Sequence, residues 1–121
     1  SIGRCSINNR YDVANVNQHV MRIRTGDRIL PSYVSHFLSS RYGQKQIFDY
    51  EAGGSKEGLD KKNIEKIKIT FPNNITIQRS ISSKLDKSMS NILSQRQLLN
   101  KLKNLKISLL QENFQDSLIE E

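Results

Sequence analysis

The residue types that could cleave a phosphodiester meet in one short run, Asp60-Lys61-Lys62, with Asp49 upstream. An aspartate followed two positions later by a lysine occurs in some metal-dependent nucleases, where carboxylates hold the cation beside the reacting phosphate. A match of two residues arises by chance, and the Pro-Asp context that accompanies it in those nucleases is missing. We therefore expect no nuclease active site.

Other reactive side chains do not form a recognisable site either. His19 and His36 lie 17 positions apart and Cys5 is distant from both, so the ligand spacing of a zinc site is absent. Neither proline is followed by a second proline, which excludes the Asn/Asp-Pro-Pro-aromatic motif of amino-methyltransferases, and no GxxxxGK[S/T] phosphate loop occurs. The sequence predicts a non-catalytic protein without metal ion or cofactor, in which Cys5 is a buried or incidental thiol.

Positive charge is concentrated in the first part of the chain. The 121 residues carry a net charge of +7. Residues 1–75 hold twelve Lys/Arg against seven Asp/Glu, or +5, whereas residues 76–121 hold seven against five, or +2. This excess is typical of a domain that faces nucleic acid, although a generic basic surface would look the same.

The elements that would position these charges alternate between short strands and helices. Residues 2–7, 20–24 and 67–71 read as strands from their alternation of apolar and polar side chains. A helix is predicted from Pro31 to about Asp49, with an end or bend at Gly43. After a glycine-rich loop, a helical turn over residues 59–66 is capped by Asp60.

The composition and the periodicity of the sequence change after Pro72. Asn73, Asn74 and Thr76 offer N-cap oxygens, and no Gly or Pro occurs in residues 75–121. Leu85, Ile92 and Leu99 recur every seven residues, which is typical of a coiled-coil helix that must bury its stripe against a partner helix. The residues predicted to pair are Leu85, Ile92, Leu98, Leu99, Leu102, Leu105 and Leu109.

The expected fold class is therefore α+β. Residues 1–74 would form a small mixed α/β domain, and residues 75–121 one long C-terminal coiled-coil helix. The chain lacks a starting methionine and begins almost inside a strand pattern, so we expect it to be a piece of a longer protein.

The order of several stretches resembles the DNA-specificity (S) subunits of type I restriction–modification enzymes. The stretches are AGGSKEGLDKKNIEKIKITFP, ITIQRSISSKLDK and QRQLLNKLKNLKISLLQENF, preceded by IGRCSI and NVNQHVMRIR. They match the C-terminal half of a target-recognition domain followed by a conserved helix. Where the family commonly has a Glu-Gln pair after a Pro-rich segment, this chain keeps Gln78 but lacks the acid, which leaves the local helix cap in doubt.

The resemblance implies a division of labour. The partial recognition domain would read one half of a bipartite site on double-stranded DNA, and the helix would space two such domains. The helix would also dock methyltransferase (M) subunits and, through them, the restriction subunit. Glycines of the loop would let the backbone approach DNA, with cationic side chains on phosphates or base edges. The implied DNA-contacting residues are Arg22, Arg24, Gly54, Ser55, Lys56, Lys61 and Lys62.

Two functions from different classes stay open at this point. One is the DNA-recognition and scaffolding subunit just described, which performs no chemistry itself. The other is a coiled-coil oligomerisation adaptor whose small basic domain binds another protein. In both cases we expect a cytoplasmic protein without a membrane span, and a homodimer formed through the C-terminal helix.

Overall fold

The computed structural model of the chain describes residues 3–10, 15–17, 19–52 and 59–119. These residues form four helices, α1 (Pro31–Ser39), α2 (Arg41–Ala52), α3 (Lys61–Glu65) and α4 (Ile75–Ile119). By proximity the chain divides into two compact units, Ser1–Ser83 and Lys84–Glu121, so that the division falls within α4. No helix in the described part of the chain combines the length and apolar character needed to span a membrane.

The segment predicted as a helix from Pro31 to about Asp49, with an end or bend at Gly43, is two helices. Pro31 opens α1 with a pre-set φ angle, and the chain breaks at Ser40, whose backbone is extended (φ −73°, ψ 164°). The Ser40 hydroxyl donates a hydrogen bond to the Phe37 carbonyl (2.6 Å) and accepts one from the Gly43 amide (3.3 Å). Gly43 is needed there, because a Cβ atom would lie 2.3 Å from the Phe37 carbonyl oxygen.

A very small apolar core joins these two helices. Val34 and Leu38 of α1 and Ile47 of α2 are buried, with 6%, 4% and 3% of their surface exposed. Six partly buried residues pack against them: Cys5, Ile29, Phe37, Leu59, Ile67 and Ile69. Cys5 is thus a free thiol that packs at the edge of the core.

The predicted α+β class is wrong, because the described residues contain helices and no strand. The segments expected as strands, residues 2–7, 20–24 and 67–71, form no ladder among the described residues. A strand requires the backbone of a second strand as its hydrogen-bonding partner, and sequence alternation alone does not supply one.

Helix side chains take the place of that partner along residues 67–71. The Gln46 carboxamide accepts a hydrogen bond from the Lys68 amide (2.8 Å) and donates one to the Lys68 carbonyl (3.0 Å). The Tyr33 hydroxyl donates to the Thr70 carbonyl (3.1 Å). Side chains of α1 and α2 therefore bind backbone N–H and C=O groups that a neighbouring strand would otherwise bind.

The caps predicted for the last two helices are confirmed. Asp60 Oδ1 accepts from the Asn63 amide at 2.7 Å and begins α3. Asn74 Oδ1 accepts from the amides of Thr76 (2.8 Å) and Ile77 (3.4 Å) and begins α4. The long C-terminal helix, 45 residues in α4, is also confirmed.

Candidate nucleic-acid interface

Lys61 and Lys62 are exposed on α3, where the Asp60 cap holds the first turn. Lys61 lies 3.8 Å from Glu65, with 83% and 64% of the two side chains exposed. An exposed ion pair of this kind contributes little free energy, so it costs little to exchange Glu65 for a phosphate. The arrangement can therefore offer both ammonium groups to an anion.

The short α3 is held against α2 by contacts around Tyr50. The Asn63 amide group donates to the Tyr50 carbonyl (3.4 Å), and the Tyr50 hydroxyl donates to the Lys66 carbonyl (3.3 Å). Lys66 Nζ donates to Asn63 Oδ1 (3.3 Å) and lies 5.9 Å from the centroid of the Tyr50 ring. These contacts hold Lys66 against α2 directly after α3, which carries Lys61 and Lys62.

Two further lysines belong to this basic surface and were missed from the sequence. Lys66 and Lys68 are exposed, while Ile67 and Ile69 between and after them pack on the core. The signal was present in the alternation of residues 66–69, which places the lysines on the solvent side. We call Lys61, Lys62, Lys66 and Lys68 the lysine ribbon.

Arg22 and Arg24 are exposed in the extended chain before α1. No hydrogen bond or ion pair among the described residues joins them to the lysine ribbon. Met21 and Ile23, which the strand predicted over residues 20–24 would place on the face opposite Arg22 and Arg24, are 42% and 46% exposed. In the part of the chain that the structure describes, neither face of this segment is covered.

The glycine-rich loop lies outside the described residues. Gly54, Ser55 and Lys56 therefore stay predictions. The two aspartates of the nuclease-like match have defined partners: Asp60 caps α3, and Asp49 Oδ2 accepts from Lys45 Nζ at 2.6 Å. Among the described residues no group of three or more His, Cys, Asp or Glu side chains is arranged to hold a metal ion.

The residues predicted to pair all lie on α4 and are about half exposed. Their exposed fractions range from 44% to 59%, for Leu85, Ile92, Leu98, Leu99, Leu102, Leu105 and Leu109. Ile77 and Ile81, in the first turns of the same helix, are 48% and 36% exposed. The apolar stripe is thus open from the beginning of α4.

Gln78 is a structural residue whose role the sequence did not reveal. Its side chain is 0% exposed. Its Oε1 accepts a hydrogen bond from the Leu30 amide (2.9 Å), and its Nε2 donates to the carbonyls of Arg28 (3.0 Å) and Pro72 (2.6 Å). One amide group therefore binds the chain before α1, the end of the extended segment and the start of α4.

The chain matches one protein family over most of its length. Residues 1–104 match the family described as type I restriction modification DNA specificity domain. No curated protein and no solved structure matches the chain. The family match includes α1, α2 and α3, and it continues through Gln78 along α4 as far as residue 104. The chain therefore belongs to the type I restriction–modification DNA specificity domain family.

Proposed function

We propose that this chain is a DNA-recognition and scaffolding part of a type I restriction–modification complex, acting in the cytoplasm without chemistry of its own. Residues 1–74 would read one half of a bipartite DNA target, and residues 75–121 would pair with another helix and dock methyltransferase subunits. The observation that carries the proposal is the extent of the family match, which covers the small domain together with residues 75–104 of α4.

The lysine ribbon supports the DNA-reading half of the proposal. Its four ammonium groups fall within eight residues, 61–68, on a backbone that α2 holds by hydrogen bonds from Gln46 and Tyr50. Cations on a fixed backbone can position phosphates without losing much conformational freedom on binding. Arg22, Arg24 and the Gly54-Ser55-Lys56 loop are the further contacts that we propose.

The open stripe of α4 supports the scaffolding half. Every described side chain from residue 84 to residue 116 is exposed, including the leucines of the stripe. An apolar stripe of this length favours association, and a closed pair with a second copy is the simplest way to cover it. We propose a homodimer through α4, on which methyltransferase subunits dock.

Charge along the stripe favours an antiparallel pair. Continuing the seven-residue spacing of Leu85, Ile92 and Leu99 reaches Lys106. In a parallel, in-register pair Lys106 would face its own copy within the seam, where like charges repel.

An antiparallel register avoids this repulsion and pairs four of the large apolar side chains with each other. When Leu85 lies opposite Leu109 of the second copy, Ile92 lies opposite Leu102, since both pairs of numbers add to 194. Lys106 then lies opposite a small side chain, Ser88, of the second copy. This orientation also sets the two recognition domains at opposite ends of the pair, as a bipartite target requires.

The alternative function is a coiled-coil adaptor with a basic protein-binding domain. The exposed stripe favours it equally, because pairing through α4 is common to both proposals. The two differ in whether the basic domain binds DNA.

Binding to a double-stranded DNA of mixed sequence, measured over a range of salt concentrations, tests the proposal. We expect the chain alone to bind weakly and with little sequence preference, with a Kd of roughly 10⁻⁴ to 10⁻⁶ M at physiological salt. The logarithm of the binding constant should fall steeply with the logarithm of salt concentration, by about 0.9 for each neutralised phosphate. A shallow salt dependence would favour the adaptor, and sub-nanomolar binding to one defined sequence would contradict the expected weak mode.

A further inference from the structure

The first turns of α4 bury two polar side chains, Gln78 and Ser82, while Ile77 and Ile81 are exposed. Ile75, Gln78 and Ser82, spaced as i, i+3 and i+7, form the face that is half-buried or buried within the first compact unit. Ile77 and Ile81 lie on the neighbouring face and are 48% and 36% exposed. Consecutive helical residues are roughly 100° apart, so a rotation of about that size around the helix axis would exchange the two faces.

Hydrophobic burial alone would favour the exchanged arrangement, because two isoleucines would turn inward and only the half-buried Ile75 would turn outward. It would place Ile77 and Ile81 inside and would move Ser82 to the solvent. Ser82 is 3% exposed, and its hydroxyl has no hydrogen-bond partner among the described residues. A buried hydroxyl without a partner is unfavourable. Some other interaction must therefore hold the helix in the observed rotation.

The Gln78 amide supplies that interaction. Both of its N–H donors and its carbonyl oxygen are used, on Arg28, Pro72 and Leu30 respectively. Rotation of the helix would break three hydrogen bonds at once and would leave backbone groups of two half-buried residues, Leu30 and Pro72, without this partner. A buried amide held by three hydrogen bonds has a narrowly defined geometry, whereas apolar contacts tolerate many.

We propose that Gln78 is a positioning residue that fixes the rotation of the first turns of α4 and so keeps the Ile77–Ile81 end of the apolar stripe free for a partner helix. The part of this inference that concerns the partner rests on the proposed function. Without Gln78 the helix would turn Ile77 and Ile81 inward and shorten the stripe available for pairing at its N-terminal end. The rotation itself is a property of the single chain and can be tested without DNA or a partner.

Thiol reactivity at two neighbouring positions reports the rotation. In a Cys5→Ser chain that also carries Leu99→Asp and Leu102→Asp to oppose pairing, single cysteines are introduced as Ile81→Cys or Ser82→Cys. Their rates of reaction with a maleimide are then compared, with Gln78 retained or replaced by methionine. Gln78→Met matches the length of the glutamine side chain and removes its hydrogen bonds.

With Gln78 in place the cysteine at position 81 should react much faster than the one at position 82. With Gln78→Met we expect the first rate to fall and the second to rise, so that their ratio approaches one. Gln97 is an exposed glutamine on the same helix, so Gln97→Met is the matched control and should leave the ratio unchanged. Val34→Ala, which weakens the core, controls for general loss of stability.

Three results would overturn the inference. They are an unchanged ratio with Gln78→Met, a rise of both rates as in a partly unfolded domain, and the same change with Val34→Ala. Sedimentation equilibrium of Gln78→Met in the chain with an intact stripe then tests the consequence, a weaker dimer. If the intact chain forms no dimer at all, the proposed pairing fails, while the thiol ratio still decides whether Gln78 sets the rotation.

Discussion

The two compact units of the chain reach stability by different routes. Among the described residues of the first unit, three buried apolar side chains are supplemented by polar side chains that bind distant backbone groups, such as Gln46 on Lys68 and Gln78 on Leu30. In the second unit, every described side chain from residue 84 to residue 116 is exposed. A small domain with few apolar residues can use hydrogen bonds to define its fold, whereas a lone amphipathic helix must obtain its burial from another molecule.

The comparison also separates two kinds of surface. The first unit presents lysines on a backbone that is held in place, which suits contact with phosphates. The second presents leucines at helical spacing, which suits contact with another helix. Substitutions that act on one surface and spare the other test whether the two roles are separable.

The largest effect is expected from Leu99→Asp combined with Leu102→Asp, which should abolish the proposed dimer. The two leucines are 51% and 55% exposed, so pairing buries about half of each side chain. This burial is worth roughly 1 kcal/mol per leucine. Four leucines per dimer then correspond to a dimer Kd raised by on the order of a thousandfold, before the cost of the new charges.

Sedimentation equilibrium measures this change, with a monomer mass of 13.9 kDa as the limit. Leu93→Asp with Ile107→Asp is the matched control, since both residues lie on α4 away from the stripe and are 53% and 54% exposed. An unmodified chain that stays monomeric at high micromolar concentration, with its helix formed, would contradict the dimer.

Gly43→Ala should destabilise the first unit and leave pairing through α4 unaffected. The new methyl group would lie 2.3 Å from the Phe37 carbonyl oxygen and 2.6 Å from Leu38 Cα, both of which are backbone atoms. Overpacking of this kind costs roughly 1–3 kcal/mol. Urea denaturation followed by circular dichroism measures the loss.

Gly26→Ala is the control for Gly43, because a Cβ atom at position 26 would meet no atom within 4 Å. Its free energy of unfolding should stay close to that of the unmodified chain. Equal effects of the two substitutions would mean that the contact between α1 and α2 is not as close as the structure has it.

Replacement of Lys56, Lys61 and Lys62 by alanine should weaken DNA binding and flatten its salt dependence. If each lysine neutralises one phosphate, the slope of log K against log salt should decrease in magnitude by about 2.7, three times 0.9. The thermal midpoint should change little, because Lys61 and Lys62 are exposed. A fluorescence anisotropy titration at several salt concentrations provides the slope.

The matched control removes three lysines of α4, by Lys87→Ala, Lys101→Ala and Lys103→Ala. It changes the net charge by the same amount but leaves the basic domain intact. If the two triple variants lose affinity equally, the charge of the whole chain rather than the recognition domain would govern binding.

Ser82→Ala is expected to have the smallest effect, a slight stabilisation of the first unit. The substitution removes a buried hydroxyl that has no partner among the described residues. The control is Ser83→Ala, because Ser83 is exposed and the substitution makes the same change in helix propensity. Urea denaturation should give Ser82→Ala the larger gain, by up to about 1 kcal/mol. A loss of stability with Ser82→Ala would show that the hydroxyl has a favourable contact.

Local features of the fold were predictable because their causes are close together in the sequence. Asp60 was predicted as a cap residue and Asn74 was one of three cap candidates, and each accepts from an amide two or three positions away. The long α4 followed from the absence of Gly and Pro in residues 75–121. In the lysine ribbon, Lys61 and Lys62 were selected by their charge, and Lys66 and Lys68 could have been selected by alternation.

The sequence by itself thus determined the long helix, its caps, its apolar stripe and the basic character of the first unit, because these depend on neighbouring residues. Only the tertiary structure decided that residues 67–71 bind helix side chains rather than a strand, and that Gln78 rather than Ile77 or Ile81 faces inward. Both outcomes depend on hydrogen bonds between residues 22 to 50 positions apart. The energy of such bonds depends on geometry that periodicity and composition do not encode.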